Sequence, residues 1–226
     1  MTLLTDDNTA IAPAPWRLTG QGYLIVVQLP KKILDNEGFI SDELRPTRRG
    51  RLAYIVFADY QESDVGRYYE LLYVGGTLKF GQKRHYSISK IYVSSQASVS
   101  NGHRNWGIPK ELAHFSANYG KNAKDDIQLT TETGETIAKL SFSHHLFPFP
   151  VNTKLAPARL LTVAQKWQGQ YFFYRPQAEG YLKPALLTSA TIDKRYFPDF
   201  NQGRVLACFK VTDFSMIFPI AKIQTL

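Results

Sequence analysis

The stretch RLAYIVFADYQESDVGRYYELLYV (51–74) sets the class of fold. Its two ends, RLAYIVFADY (51–60) and RYYELLYV (67–74), are rich in β-branched and aromatic residues, and the QESDVG between them is polar. Such residues suit a pleated, half-buried surface, so two strands joined by a polar connection are predicted. The same reading extends outward. GYLIVVQL (22–29) is a β-branched run stopped by Pro30, and HYSISKIYV (85–93) alternates cleanly. DIQLTTETGETIAKLSFSH (126–144) reads as a hairpin turning near Thr133-Gly134. QYFFYR (170–175), ALLTSATI (185–192) and RVLACFKV (204–211) complete the set.

Helical periodicity is scarce. KKILDNEGF (31–39) is one candidate, and Pro109-Lys110-Glu111-Leu112-Ala113 reads as the first turn of another, with proline in the first position and a carboxylate close behind. About ten strands with turn signals between them predict a mainly β, predominantly antiparallel structure, barrel-like or sandwich-like. No internal repeat or domain boundary stands out. FPFPVNTKLAPAR (147–159) is the best internal connector and is expected to cross between layers of one domain. The expectation is a flexible tail over 1–12, ending in the stiff APAP segment, and a single domain over 13–226.

The chain has 226 residues, 44% of them hydrophobic, which is enough for a sizeable core. Its 27 basic and 19 acidic residues are mostly interspersed, so the net charge of +8 does not by itself indicate nucleic acid. The densest basic cluster, Arg45, Arg48, Arg49 and Arg51, reads as a solvated loop before a strand, and no RNP, helix-turn-helix or zinc-finger spacing accompanies it. A nucleic-acid partner is not expected. The single cysteine, Cys208, permits no disulfide within the chain and falls in an apolar strand, where it reads as a small buried hydrophobe. Nothing approaches the ~18 continuous apolar residues of a membrane helix, and the start lacks an export pattern, so a cytoplasmic protein without a membrane partner is expected. The histidines, His85, His103, His114, His144 and His145, form no HExxH or His/Cys spacing, and adjacent His144 and His145 would point to opposite faces of a strand. No metal or cofactor is expected. GxSxG and Walker patterns are absent.

What remains is Lys110, set among Trp106, Ile108, Leu112 and Phe115, residues that favour burial. SVSNGHRNWGIPKELAHF (98–115) resembles the signature of the acetoacetate decarboxylase family, in which a Gly-Arg-Glu segment runs through a spacer into Pro-Lys-Lys-Leu. Gly102 to Lys110 has the family's spacing, with Pro109 immediately before the lysine. YYELLYV (68–74) is similar to the family's Tyr-x-Glu strand, and PAPWRLTGQGYLIVV (13–27) to its first segment. The resemblance implies a β-rich α+β fold built on an antiparallel barrel or cone, with flanking strands and a few short helices, and implies a homo-oligomer. It also implies a Schiff-base lysine at Lys110 and an active-site glutamate at Glu70. Arg104, Trp106, Gln21 and Tyr54 are then the expected substrate-binding residues. The departures are Gly102-His103-Arg104 in place of Gly-Arg-Glu, Glu111 in place of the second lysine, Gln21 in place of an arginine, and Tyr54 or a neighbour in place of a second glutamate.

The chemistry sets a physical demand. A lysine attacks a ketone only as the free amine, and with an ordinary lysine value of about 10.4 roughly one molecule in a few thousand is neutral at pH 7. Correcting this costs the ammonium about 4–5 kcal/mol, which apolar burial or a neighbouring cation can supply, the second being the family's own device. Glu111 removes that cation, so burial is the expected route. The expected function is a carbon–carbon lyase acting on a β-keto acid other than, or besides, acetoacetate, or related iminium chemistry on a carbonyl compound. The alternative is a non-catalytic β module that binds a small hydrophobic ligand.

Overall fold

The computed structural model describes residues 10–144, 147–157 and 161–225. The first half contains β1 (Trp16–Gln28), α1 (Lys31–Asn36), β2 (Arg49–Glu62), β3 (Tyr68–Phe80), β4 (Lys83–Tyr86), β5 (Lys90–Val93), α2 (Gln96–Trp106) and β6 (Lys110–Leu112). The hairpin strands β7 (His114–Tyr119), β8 (Lys124–Thr130) and β9 (Thr136–His144) follow. The remainder is β10 (Phe149–Asn152), β11 (Val163–Trp167), β12 (Gln170–Tyr174), β13 (Gln177–Ile192), β14 (Arg204–Phe218) and β15 (Lys222–Thr225).

All these strands belong to one sheet, whose main path runs β15-β12-β11-β4-β3-β2-β1-β14-β13-β9-β8-β7. Among the described residues the sheet does not close, so the barrel is open. It curls because β13 changes partner along its length: residues 177–184 pair with β14 and residues 185–192 with β9. Side chains alternate between two cores. One face of β1, β2 and β3 sends Tyr23, Ile25, Ala53, Ile55, Phe57, Leu71 and Tyr73 against Ile127, Leu129, Leu140 and Phe142 of β8 and β9. Tyr23 stacks on Phe142 with ring centres 3.8 Å apart. The opposite face sends Leu18, Ala58, Tyr60, Tyr68 and Val74 into a second core with Trp16, Ile88, Ile91, Val93, Trp106 and Ile108. This period-two division of the three strands between two cores positions the site.

Several expectations change in detail. The 85–93 run is two strands, β4 and β5, which leave the bend at Ser87-Ile88-Ser89 between them. The expected helix starting at Pro109 is strand β6, which pairs in parallel with β5 through Ile91 and Lys110. The helix lies before it. α2 starts at Ser95, whose hydroxyl caps the Ser98 N–H, and ends at Gly107 in the left-handed conformation, φ 61°. Proline thus follows the helix stop, a position it favours because it cannot continue the helix. Of the expected loose tail, residues 1–9 lie outside the described residues. Residues 10–12 are tied to α2: Asn101 accepts from the Ala12 N–H and donates to the Ala10 carbonyl, and Asn105 donates to the Ala12 carbonyl. His145 and part of the 147–159 connector also lie outside the described residues. No helix among the described residues is long and apolar enough to cross a membrane.

Candidate active site

Lys110 is buried, 5% exposed, and its ammonium lies between β3 and α2. Nζ donates to Glu70 Oε2 at 2.9 Å and to Ser98 Oγ at 2.9 Å, and sits 5.2 Å above the Tyr68 ring. That last distance is within cation–π range. Glu70, 4% exposed, accepts at its other oxygen from the Tyr60 hydroxyl at 3.0 Å. The phenols of Tyr60 and Tyr68 are pushed well up, first by burial and then by the Glu70 charge, so both remain protonated.

Each partner has a local origin. Alternation along β3 puts Tyr68 and Glu70 on the same face, and the register sets Tyr60 directly across from Tyr68. Ser98 and Gly102 are four residues apart on α2 and therefore share one side of the helix. Ser98 accepts from Lys110, and Gly102 leaves space for it: a Cβ there would stand 2.7 Å from Lys110 Cδ and 3.0 Å from Cε. His103 donates from Nε2 to the Lys110 carbonyl at 3.0 Å and stacks on Trp167 at 4.4 Å. Burial holds His103 below the ordinary histidine value, which favours the neutral ring that makes this bond.

The lysine head faces a cavity of about 10 Å³, room for about one water, lined chiefly by Trp16, Leu18, Ile88, Ile91, Trp106 and Ile108. Trp106 is fixed by its indole N–H on the Pro219 carbonyl at 2.7 Å. Of the expected site residues, Lys110, Glu70 and Trp106 therefore come together. Arg104 does not: it is exposed on α2. Gln21 and Tyr54 do not line the cavity either. Tyr54 lies against Tyr86 with ring centres 5.5 Å apart, and burial together with that neighbour raises its phenol to about 12. On β2 the residue that reaches Glu70 is Tyr60, farther along the same face. The signals for Tyr60 and Tyr68 lay in the period-two alternation of β2 and β3. Ser98 and His103 had none without the helix.

Glu111 points away from Lys110. Consecutive strand residues face opposite sides, and Glu111 accepts from Lys90 of β5 at 2.6 Å, not from Arg104. Lys90 is itself buried, with its ammonium 4.9 Å over Phe39 and 4.6 Å over Tyr92. The carboxylate is thus neutralised on the far side of β6. No cluster of three or more metal-ligating side chains occurs among the described residues. Cys208 is buried, and burial raises its thiol to about 12. In the basic cluster, Arg48 is buried on Asp35 at 2.5 Å and Arg45 pairs with Asp42 at 2.8 Å.

The fold is thus an open, curled, β-rich sheet that holds a buried lysine–carboxylate pair beside a small apolar cavity. The chain belongs to the acetoacetate decarboxylase (ADC) family, whose model matches residues 18–156. It is also similar to solved structures across nearly its whole length. One is the acetoacetate decarboxylase from Legionella pneumophila subsp. pneumophila str. Philadelphia 1, 12% identical, with 94% of this chain and 88% of that chain covered and a TM-score of 0.64. An acetoacetate decarboxylase-like enzyme from Sphingomonas wittichii RW1 is 11% identical, with 100% and 98% covered and a TM-score of 0.66. The enduracididine biosynthesis enzyme MppR complexed with pyruvate is 14% identical, with 97% and 94% covered and a TM-score of 0.64. No curated protein sequence matches the chain. At these identities the structural likeness speaks to the fold, and the site must be argued from its own geometry.

Proposed function

We propose that the protein is a Schiff-base lysine enzyme that decarboxylates a β-keto acid through Lys110. The observation that carries this reading is the buried Lys110 ammonium, in contact with the Glu70 carboxylate at 2.9 Å inside an apolar cavity. A buried ion pair is a weak source of stability, because desolvating two charges offsets most of their attraction. It is, however, a short path for one proton. Transfer from Nζ to Glu70 converts two buried charges into a neutral amine and a neutral acid, and burial favours uncharged forms. No cation from a second lysine is required.

The amine then adds to the substrate ketone, and Glu70 returns its proton to the departing hydroxyl, which leaves as water. The resulting iminium draws the electrons of the bond to the carboxylate carbon. Carbon dioxide leaves, and the electron pair neutralises the iminium as an enamine. The enamine carbon takes a proton from water by way of Glu70, and water hydrolyses the imine to release product and lysine. Tyr60 holds Glu70 at Oε1, so that Oε2 stays directed at the amine. Among the described residues no arginine or second lysine lines the cavity to stabilise the carboxylate, which suits a step in which that charge disappears. The reading is tested by carbon dioxide release from a panel of β-keto acids, measured with wild-type protein, Lys110→Met and Glu70→Gln. Release by wild type that is lost in Lys110→Met supports it. Release that persists in Lys110→Met contradicts it.

A further inference from the structure

The cavity at Lys110 is too small for a ketone with two substituents, so any substrate must extend through one of its walls. One wall has a second space behind it. A groove of about 350 Å³ is lined by Phe39, Ile40, Leu44, Leu78, Pro109 and Trp167, with Ser87, Ser89 and Gln165 among them. Ile88 lines both spaces. Pro109 faces the groove while its neighbours Ile108 and Lys110 face the cavity. The partition is therefore the bend 87–89 and the turn 108–110, with the Ile88 side chain as the part that can change rotamer without moving a strand.

We propose that this groove is the outer half of the substrate site and that the substrate of Lys110 carries an uncharged, apolar tail, aryl or short alkyl, which lies in the groove while its carbonyl passes Ile88. The assignment rests on the Schiff-base reading above and adds the substrate class to it. Three observations support it. The volume falls at the lower end of the roughly 300–1,000 Å³ typical of small-molecule pockets. Apolar side chains make up about half of the lining, and its two charged residues, Lys166 and Glu43, pair with each other, leaving no cation there for a second carboxylate. Phe39 also holds the left-handed backbone conformation, φ 53°, which a bulky side chain seldom adopts. The groove is coupled to the lysine directly, since Trp167 stacks on the His103 ring that holds the Lys110 carbonyl.

The test compares acetone with 4-phenyl-2-butanone as ketones trapped on Lys110 by borohydride, which delivers hydride to the iminium carbon and leaves a stable secondary amine. The expected result in wild type is at least about a tenfold faster adduct with the phenyl ketone. Ser41 is an exposed residue of the groove lining, so Ser41→Trp narrows the mouth and should bring that ratio to near one. Ile88→Ala removes the partition and should raise the phenyl adduct rate severalfold. A wild-type ratio of one or less, or a ratio that neither substitution moves, overturns the proposal. Equilibrium binding of 4-phenyl-2-butanone, followed by calorimetry, separates the two readings. If neither ketone forms an adduct, the lysine reading fails, and saturable binding that Ser41→Trp abolishes still supports the groove. Absence of saturable binding overturns the groove.

Discussion

Gly102→Ala tests the link between helix and lysine with one methyl group. The new Cβ would stand 2.7 Å from Lys110 Cδ, against the 3.4 Å at which ordinary contact begins, so the chain must move by about 0.7 Å (3.4 − 2.7). The lysine has flexible torsions to absorb this, but its head is held at 2.9 Å by both Glu70 and Ser98. Two stability effects oppose each other. Alanine is favoured over glycine inside a helix by up to about 1 kcal/mol, while overpacking a buried site costs about 1–3 kcal/mol. The net loss should stay within about 2 kcal/mol, and the protein should remain folded. Reactivity is more sensitive, because a misplacement of about 1 Å can cost on the order of 100-fold in rate. Borohydride trapping of a ketone on Lys110, followed by mass spectrometry, should slow by roughly 10- to 100-fold, alongside a near-normal circular dichroism melt. A folded Gly102→Ala protein that traps ketone at the wild-type rate would refute the packing argument.

Glu70→Gln keeps the shape and a hydrogen-bond acceptor for the lysine but removes the proton acceptor; imine formation should fall by about 100-fold or more at pH 7, as followed by the same trapping. Glu111→Ala strands the Lys90 ammonium in its aromatic surroundings and should cost about 1–3 kcal/mol in urea unfolding, whereas Lys90→Met leaves a half-exposed carboxylate to water and should cost less. His103 and His85 are both held below the ordinary 6.5, chiefly by burial. As pH falls below that value the unfolded chain takes up protons that the folded chain resists, so stability is retained above pH 6.5 and lost below it, toward the lowered folded values. In His103→Gln the urea midpoint should fall less steeply over that range, with the His85 share remaining.

Much of the fold was legible because strands announce themselves by composition. The runs at 51–60 and 204–211 lie inside observed strands, the 67–74 run falls in β3 from Tyr68 onward, and Thr133-Gly134 does turn the β8–β9 hairpin, with Gly134 at φ 86°. α2 was not legible. Its buried side carries Ser98, Val99, Asn101, Gly102 and Trp106, so apolar periodicity finds little to count. The same small and polar residues make room for the lysine and tie down residues 10–12, so the feature that hid the helix is the one that builds the site. Reading Pro109 as a helix start was the reverse of its role, since left-handed Gly107 had already ended α2. Lys110 and Glu70 were singled out by the resemblance, and the structure brings them within 2.9 Å of each other. Tyr54 was the wrong tyrosine for the cavity because register across a strand pair depends on the turn. With Tyr60 opposite Tyr68, the residue that reaches Glu70 lies six positions farther along β2.

The central claim is that Lys110 forms the covalent intermediate. Incubation with a keto acid and borohydride, followed by digestion and peptide mass spectrometry, tests it most directly. The account predicts a mass increment on the peptide containing Lys110, present in wild type and absent in Lys110→Met. An increment confined to other lysines, or none at Lys110 with any carbonyl compound, would contradict it.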